Sequence, residues 1–102
     1  MANFARVAST SDLKPGEGKV VNLNGEEVAL FNVNGEFFAI GNSCPHRGGP
    51  LGEGSLEGES VTCPWHGWQF NVKTGGNDRM PGPNVPRYEV KVEGNEVFVA
   101  VD

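Results

Sequence analysis

The chain has 102 residues, 37% of them hydrophobic, the length of one domain with a modest core. Thirteen acidic residues against eight basic ones give a net charge of -5, which argues against the Lys/Arg-rich face that nucleic acid demands. No apolar run approaches the ~20 residues that span a bilayer, and the start, Met1-Ala2-Asn3-Phe4-Ala5-Arg6, lacks the basic-then-apolar layout of a signal peptide, so the expected location is the cytoplasm with no membrane partner.

Taken in order, residues 4–8 alternate well enough for a strand, and residues 9–13 form one helical turn or a loop. Pro15-Gly16 is a turn. Residues 18–23 read as a strand, followed by Asn24-Gly25, a strong hairpin signal. Residues 27–33 and 36–40 are the next two strands, joined by a second such pair, Asn34-Gly35. This meander delivers the chain to Cys44. Residues 51–59 are mostly Gly, Glu and Ser and read as a connector; Glu53, Glu57 and Glu59 in it suit a wet loop or a basic partner. Residues 60–62 form a short strand feeding Cys63, and residues 68–72 form another, ended by Thr74-Gly75-Gly76. Three prolines, Pro81, Pro83 and Pro86, make residues 77–86 a loop. Residues 87–92 and 96–101 form a last hairpin across Gly94-Asn95. With no sustained helical periodicity, the expected fold is all-β, with roughly nine or ten short strands in a sandwich or small barrel.

Between the strands sits Cys44-Pro45-His46-Arg47-Gly48-Gly49-Pro50, and after the connector comes Cys63-Pro64-Trp65-His66-Gly67-Trp68. The chain has two Cys and two His, and all four fall here, one of each per segment. In an extended segment the side chains at i and i+2 point the same way, so Cys44 and His46 can face one object. Cys63 and His66 can do so from a tight turn. Gly48, Gly49 and Gly67 let backbone N–H groups approach an electron-rich group. Three blander readings compete. A set of two Cys and two His suits tetrahedral zinc, although zinc fingers usually pair like with like, whereas each half here is mixed. A Cys44–Cys63 disulfide leaves the two matched His unexplained. A nucleophilic Cys with a His base needs one such pair, not two.

The pattern C-x-H, sixteen residues, C-x-x-H resembles the ligand motif of Rieske iron–sulfur proteins, in which two Cys hold one iron of a [2Fe-2S] cluster and two His hold the other. The resemblance covers nearly the whole chain. It implies a single domain over 1–102, a β-sandwich or barrel with a small cluster-binding subdomain of two loops at about 41–75. Cys44, His46, Cys63 and His66 would be the cluster ligands, and the 77–86 loop would pack near the cluster. Trp68-Gln69-Phe70 followed by Thr74-Gly75 also resembles the family. Respiratory members carry an extra Cys in each ligand loop, joined as a disulfide; the matching positions here are Gly49 and Trp65. They also place a Ser and a Tyr two and four residues after the second His, where this chain has Trp68 and Phe70.

Such a cluster passes one electron at a time and does not activate oxygen by itself. Rieske oxygenases add a mononuclear iron held by two His and a carboxylate, and this chain has no His to spare for one, nor the length for the catalytic domain. The expectation is therefore a stand-alone Rieske ferredoxin, an electron carrier with no substrate chemistry of its own and no small-molecule substrate. By resemblance it takes electrons from a flavin-dependent NAD(P)H reductase and gives them to a terminal oxygenase. A small Rieske-type subunit of an NAD(P)H nitrite reductase or another oxidoreductase is the alternative, and a zinc-stabilised interaction module the remote one. Trp65 and Trp68 suit a docking surface or electron path, but one or both are better read as core aromatics shielding the cluster. Arg47 fits a docking contact or a solvated surface equally.

Overall fold

The computed structural model describes residues 4–23, 25–43, 49–65, 67–77 and 84–100. Among the described residues there are ten strands: β1 Phe4–Ser9, β2 Gly18–Leu23, β3 Glu26–Val33, β4 Glu36–Gly41, β5 Ser55–Glu57, β6 Ser60–Thr62, β7 Gln69–Asn71, β8 Arg87–Tyr88, β9 Val90–Glu93 and β10 Glu96–Ala100. Single 3₁₀ turns occupy Thr10–Asp12 and Leu51–Glu53. The strands pair antiparallel in three sheets, ordered β1-β10-β9, β2-β3-β4-β8 and β5-β6-β7.

Strand β3 explains how the three sheets stack. From Val28 to Val33 every residue is buried, so neither face of this stretch of β3 meets water. Successive side chains alternate between faces. Ala29, Phe31 and Val33 enter one core, with Leu51, Val61, Cys63, Phe70, Val72 and Val85. Val28 and Leu30 enter the other, with Ala8, Leu13, Val21, Val97 and Val99. Strand β4 divides likewise, Ile40 to the first core and Ala39 to the second. The four-stranded sheet is thus a middle layer, covered on one face by β1-β10-β9 and on the other by the small β5-β6-β7 sheet. Each fully buried Phe, Leu or Val stabilises the fold by about 1.5–3 kcal/mol.

The hairpin signals act as read. Asn34 and Gly35 both have positive φ, 53° and 95°, the type I′ geometry that matches strand twist. The pairing Leu23↔Glu26 leaves a two-residue loop before β3, with Gly25 at φ 87°; Asn24 lies outside the described residues. Glu93↔Glu96 likewise closes the last hairpin over Gly94-Asn95.

Two expectations need correction. The connector at 51–59 is more than a wet loop: Leu51 is fully buried, and Ser55–Glu57 pairs with β6 as an edge strand. Its polar composition reflects exposure of Glu53, Ser55 and Glu57, which hides the half-buried Leu56 between them. The run 87–92 is not one strand. It breaks at Glu89, because Arg87 and Tyr88 pair with Ile40 and Ala39 of the middle sheet whereas Val90 pairs with Val99 of another. A strand that changes sheets must turn a corner, and the Glu89 carbonyl at that corner accepts from the Ala100 N–H at 2.9 Å.

Candidate metal centre

Both motif segments grow from rigid structure. The first follows β4, where Asn42 is only 3% exposed. Its backbone carbonyl accepts from the Leu51 N–H at 2.8 Å, and its side-chain Oδ1 accepts from the Gly52 N–H at 2.8 Å. The Asn42 N–H donates to the Glu27 carbonyl at 3.2 Å, and Nδ2 reaches the Glu27 carboxylate at 3.4 Å. A bridge between Ser43 and Pro50 completes the closure. One buried Asn therefore ties both ends of the first loop together and to β3. Sequence reasoning passed over it; a polar residue between the strand and the first Cys was the available signal.

The second segment sits in the β6–β7 hairpin. The Cys63 N–H donates to the Trp68 carbonyl at 2.7 Å, and the Gly67 N–H donates to the Cys63 carbonyl at 3.1 Å. Gly67 has φ 77°, a left-handed turn that glycine adopts without strain. Gln69 Nε2 donates to Thr62 Oγ1 at 3.1 Å across the base of the turn. Cys63 is 2% exposed within the first core, and its thiol is free of any disulfide.

The loops meet at Gly49. A methyl group on its α-carbon would fall 2.7 Å from Cys63 Sγ and 3.1 Å from Trp65 Cγ, so any side chain there would have to push the thiol and the ring aside. Val85, from the far end of the 77–86 loop, is held by its N–H to the Gly75 carbonyl at 2.9 Å and joins Cys63 in the same core.

Of the four candidate ligands, Cys63 is described; Cys44, His46 and His66 lie outside the described residues, as do Arg47, Gly48 and residues 78–83. Among the described residues no group of three or more His, Cys, Asp or Glu could hold a metal, as only one candidate ligand is among them. What can be tested fits a two-iron cluster. A buried free thiol stands where the stem of the other Cys/His loop approaches it, so closely that a side chain at Gly49 would displace it. The chain's donor set of two thiols and two imidazoles is the one a Rieske cluster takes.

The two tryptophans differ. Trp68 is half-buried and packs on the first core, its ring 6.4 Å from Phe70 at 38°, as a core aromatic does. Trp65 is 58% exposed and belongs to neither core. Away from the thiol, Lys73 Nζ lies 3.0 Å from a Glu59 carboxylate oxygen. Its hydrogen bond and charge hold the Glu59 carboxyl below the usual range, and Glu59 in turn raises Lys73. Burial first, then the Glu26 carboxylate, pushes the Tyr88 phenol up. No helix among the described residues is long and apolar enough to cross a membrane.

Residues 3–99 match the Rieske [2Fe-2S] domain family. The chain is 42% identical over 96 residues to apoptosis-inducing factor 3 of Homo sapiens, a match covering 93% of this chain but 16% of that protein. The chain therefore spans about a sixth of that relative's length. It is 38% identical over 99 residues to the biphenyl dioxygenase ferredoxin subunit of Pseudomonas sp. (strain KKS102), covering 94% of this chain and 90% of that one. Among solved structures, the ferredoxin of carbazole 1,9a-dioxygenase from Nocardioides aromaticivorans IC177 superposes with a TM-score of 0.92 at 33% identity, covering 98% of this chain and 99% of the other.

Proposed function

Because the chain belongs to the Rieske [2Fe-2S] domain family, we propose that it is a one-electron carrier, a ferredoxin that takes electrons from a flavin-dependent NAD(P)H reductase and passes them to a terminal oxygenase. Cys44 and Cys63 hold one iron as thiolates, and His46 and His66 hold the other through ring nitrogens. When bound, the cluster supplies reversible one-electron chemistry. The rest of the chain keeps the ligands in place: Asn42 closes the first loop, the Cys63–Trp68 turn closes the second, and the first core keeps water from the Cys63 sulfur. The protein does no substrate chemistry of its own, and it takes no small molecule, nucleic acid or membrane as partner. Residues 1–102 form one domain with the cluster-binding part at about 41–75, and it works in the cytoplasm.

The observation that carries this reading is the near full-length likeness to a dioxygenase ferredoxin subunit. Reconstitution tests it. The purified protein should be red-brown, hold about two irons and two acid-labile sulfides per chain, and restore NADH-dependent turnover to a reductase and a Rieske oxygenase that are inactive together without it. A colourless protein with one zinc, or substrate turnover by the isolated chain, would end it.

A further inference from the structure

Trp65 is a large aromatic side chain left mostly in water, at 58% exposure, one residue from a candidate ligand and two from another. Its ring is nevertheless seated. The space above the Gly49 α-carbon, where a side chain would stand, is shared by Cys63 Sγ and by Trp65 Cγ and Cδ2, which a methyl there would meet at 2.7, 3.1 and 3.2 Å. Cγ and Cδ2 belong to the half of the indole nearest its own backbone. That half rests on the glycine, and the exposed area is left to the remainder.

Gly49 and Trp65 belong to different loops. The hydrogen bonds at Asn42 close the first loop on itself, and the Cys63–Trp68 and Gly67–Cys63 bonds close the second. The packing of indole and thiol on Gly49 joins the two where they meet. Exposed apolar area disfavours a residue that does nothing else, since burial of a Trp-sized side chain is among the largest stabilising terms a small domain has.

We propose that Trp65 is a positioning residue: its indole, laid on Gly49, clasps the first ligand loop against the second and screens the Cys63 sulfur from water. The inference rests on the reading of Cys63, with Cys44, His46 and His66, as cluster ligands. Each half-site supplies one thiolate and one imidazole from its own loop, so slippage between the loops strains bonds on both irons at once. Groups that orient ligands without touching the metal set its retention and its electronics.

The test uses the iron-loaded protein with Trp65→Ala, Trp65→Phe, Gly49→Ala and the Gly49→Ala/Trp65→Ala double variant. Iron release to excess chelator is followed by bleaching of the visible band, and the reduced protein is examined by electron paramagnetic resonance. Trp65→Ala should release iron about tenfold faster, the scale seen when a residue behind a metal ligand is removed, with shifted g-values. Trp65→Phe, which keeps a ring over Gly49, should restore most of both. Gly49→Ala should speed release too, because its methyl displaces ring and thiol. The double variant should release iron more slowly than the product of the two single effects, since the part of the Gly49→Ala effect that comes from displacing the ring is already lost in Trp65→Ala and only the part from displacing the thiol remains. Wild-type release and g-values in Trp65→Ala, or single effects that multiply in the double variant, would overturn the clasp. A wild-type protein that binds no iron would overturn the ligand reading together with it; an iron-replete wild type with an indifferent Trp65→Ala variant overturns the clasp alone.

Discussion

Asn42→Ala isolates the closure of the first loop. Asn42 is 3% exposed, and its Oδ1 accepts from the N–H of Gly52, itself buried, at 2.8 Å. Removing the acceptor leaves a buried donor without a partner, which costs about 1–3 kcal/mol. The contact of Nδ2 with the exposed Glu27 carboxylate is long, at 3.4 Å, and adds little. The backbone bond from Leu51 to the Asn42 carbonyl survives the change, so the fold should hold while its stability falls by about 2 kcal/mol. An internal control exists. Asn22 accepts from the Gly25 N–H at 3.1 Å, the same kind of bond, but at an exposed turn. Water replaces it there, and Asn22→Ala should stay within about 0.5 kcal/mol of wild type. Urea unfolding of the iron-loaded proteins measures both, since a loss of about 2 kcal/mol moves the midpoint by about 1 M for an m-value of about 2 kcal/mol/M. An Asn42→Ala midpoint within error of wild type, or an Asn22→Ala loss as large as that of Asn42→Ala, would refute the reasoning from burial.

Replacing His46 or His66 with Ala should abolish the cluster or change its visible spectrum, whereas Glu53→Ala, at an exposed carboxylate, should leave iron content and spectrum unchanged. The reduction potential should lie near the bottom of the Rieske range, on the order of -150 mV, because Trp68 and Phe70 have no hydroxyls to donate to cluster sulfurs; voltammetry giving more than about +100 mV near neutral pH would contradict it. The Glu59–Lys73 pair sets a pH dependence of definite sign. Glu59 is lowered in the fold, so its contribution is present above the ordinary carboxyl value of 4.5 and is lost as pH falls through the folded value beneath it. Lys73 is raised, so its share persists below the ordinary ammonium value of 10.5 and is lost as pH rises through the folded one. Glu59→Gln should therefore lose a small increment of stability at neutral pH and match wild type under strong acid; denaturant titrations near neutral pH and in strong acid that show the same difference would count against it.

Local chemistry made most of the strands legible. Asn-Gly pairs announce tight turns because their residues tolerate positive φ, and the run between them, residues 26–33, is short and apolar enough to read as a strand buried on both faces. The misread stretches are those where tertiary pairing overrides composition. Nothing in Ser55-Leu56-Glu57 alone distinguishes an edge strand from a loop, because its hydrogen-bonding partner is Ser60–Thr62 across a turn. Residues 87–93 are continuous in sequence, and only the presence of two different neighbours, β4 and β10, explains the break at Glu89. The candidate ligands were legible for another reason: four rare metal-binding side chains in two matched pairs carry their chemistry in spacing. Asn42 was not, since an Asn becomes a clamp only when burial removes water as its competitor, and burial belongs to the folded chain.

The two faces of β3 separate two tasks. Val28 and Leu30 face a core built with β1 and β10, which among the described residues contains no candidate ligand. Ala29, Phe31 and Val33 face the core that contains Cys63. A cavity cut in the second kind of site should disturb ligand geometry as well as stability, whereas one cut in the first should cost stability alone. The 3₁₀ turn at Leu51–Glu53 joins the two requirements on the ligand side: Leu51 anchors the turn in the Cys63 core, and the turn's Leu51 and Gly52 N–H groups are the donors that Asn42 receives. The first loop is thus attached to the same apolar cluster that buries Cys63, the candidate ligand of the second. Two loops far apart in sequence are referred to one packed reference body, which is what a cofactor bound from both sides requires of a domain this small.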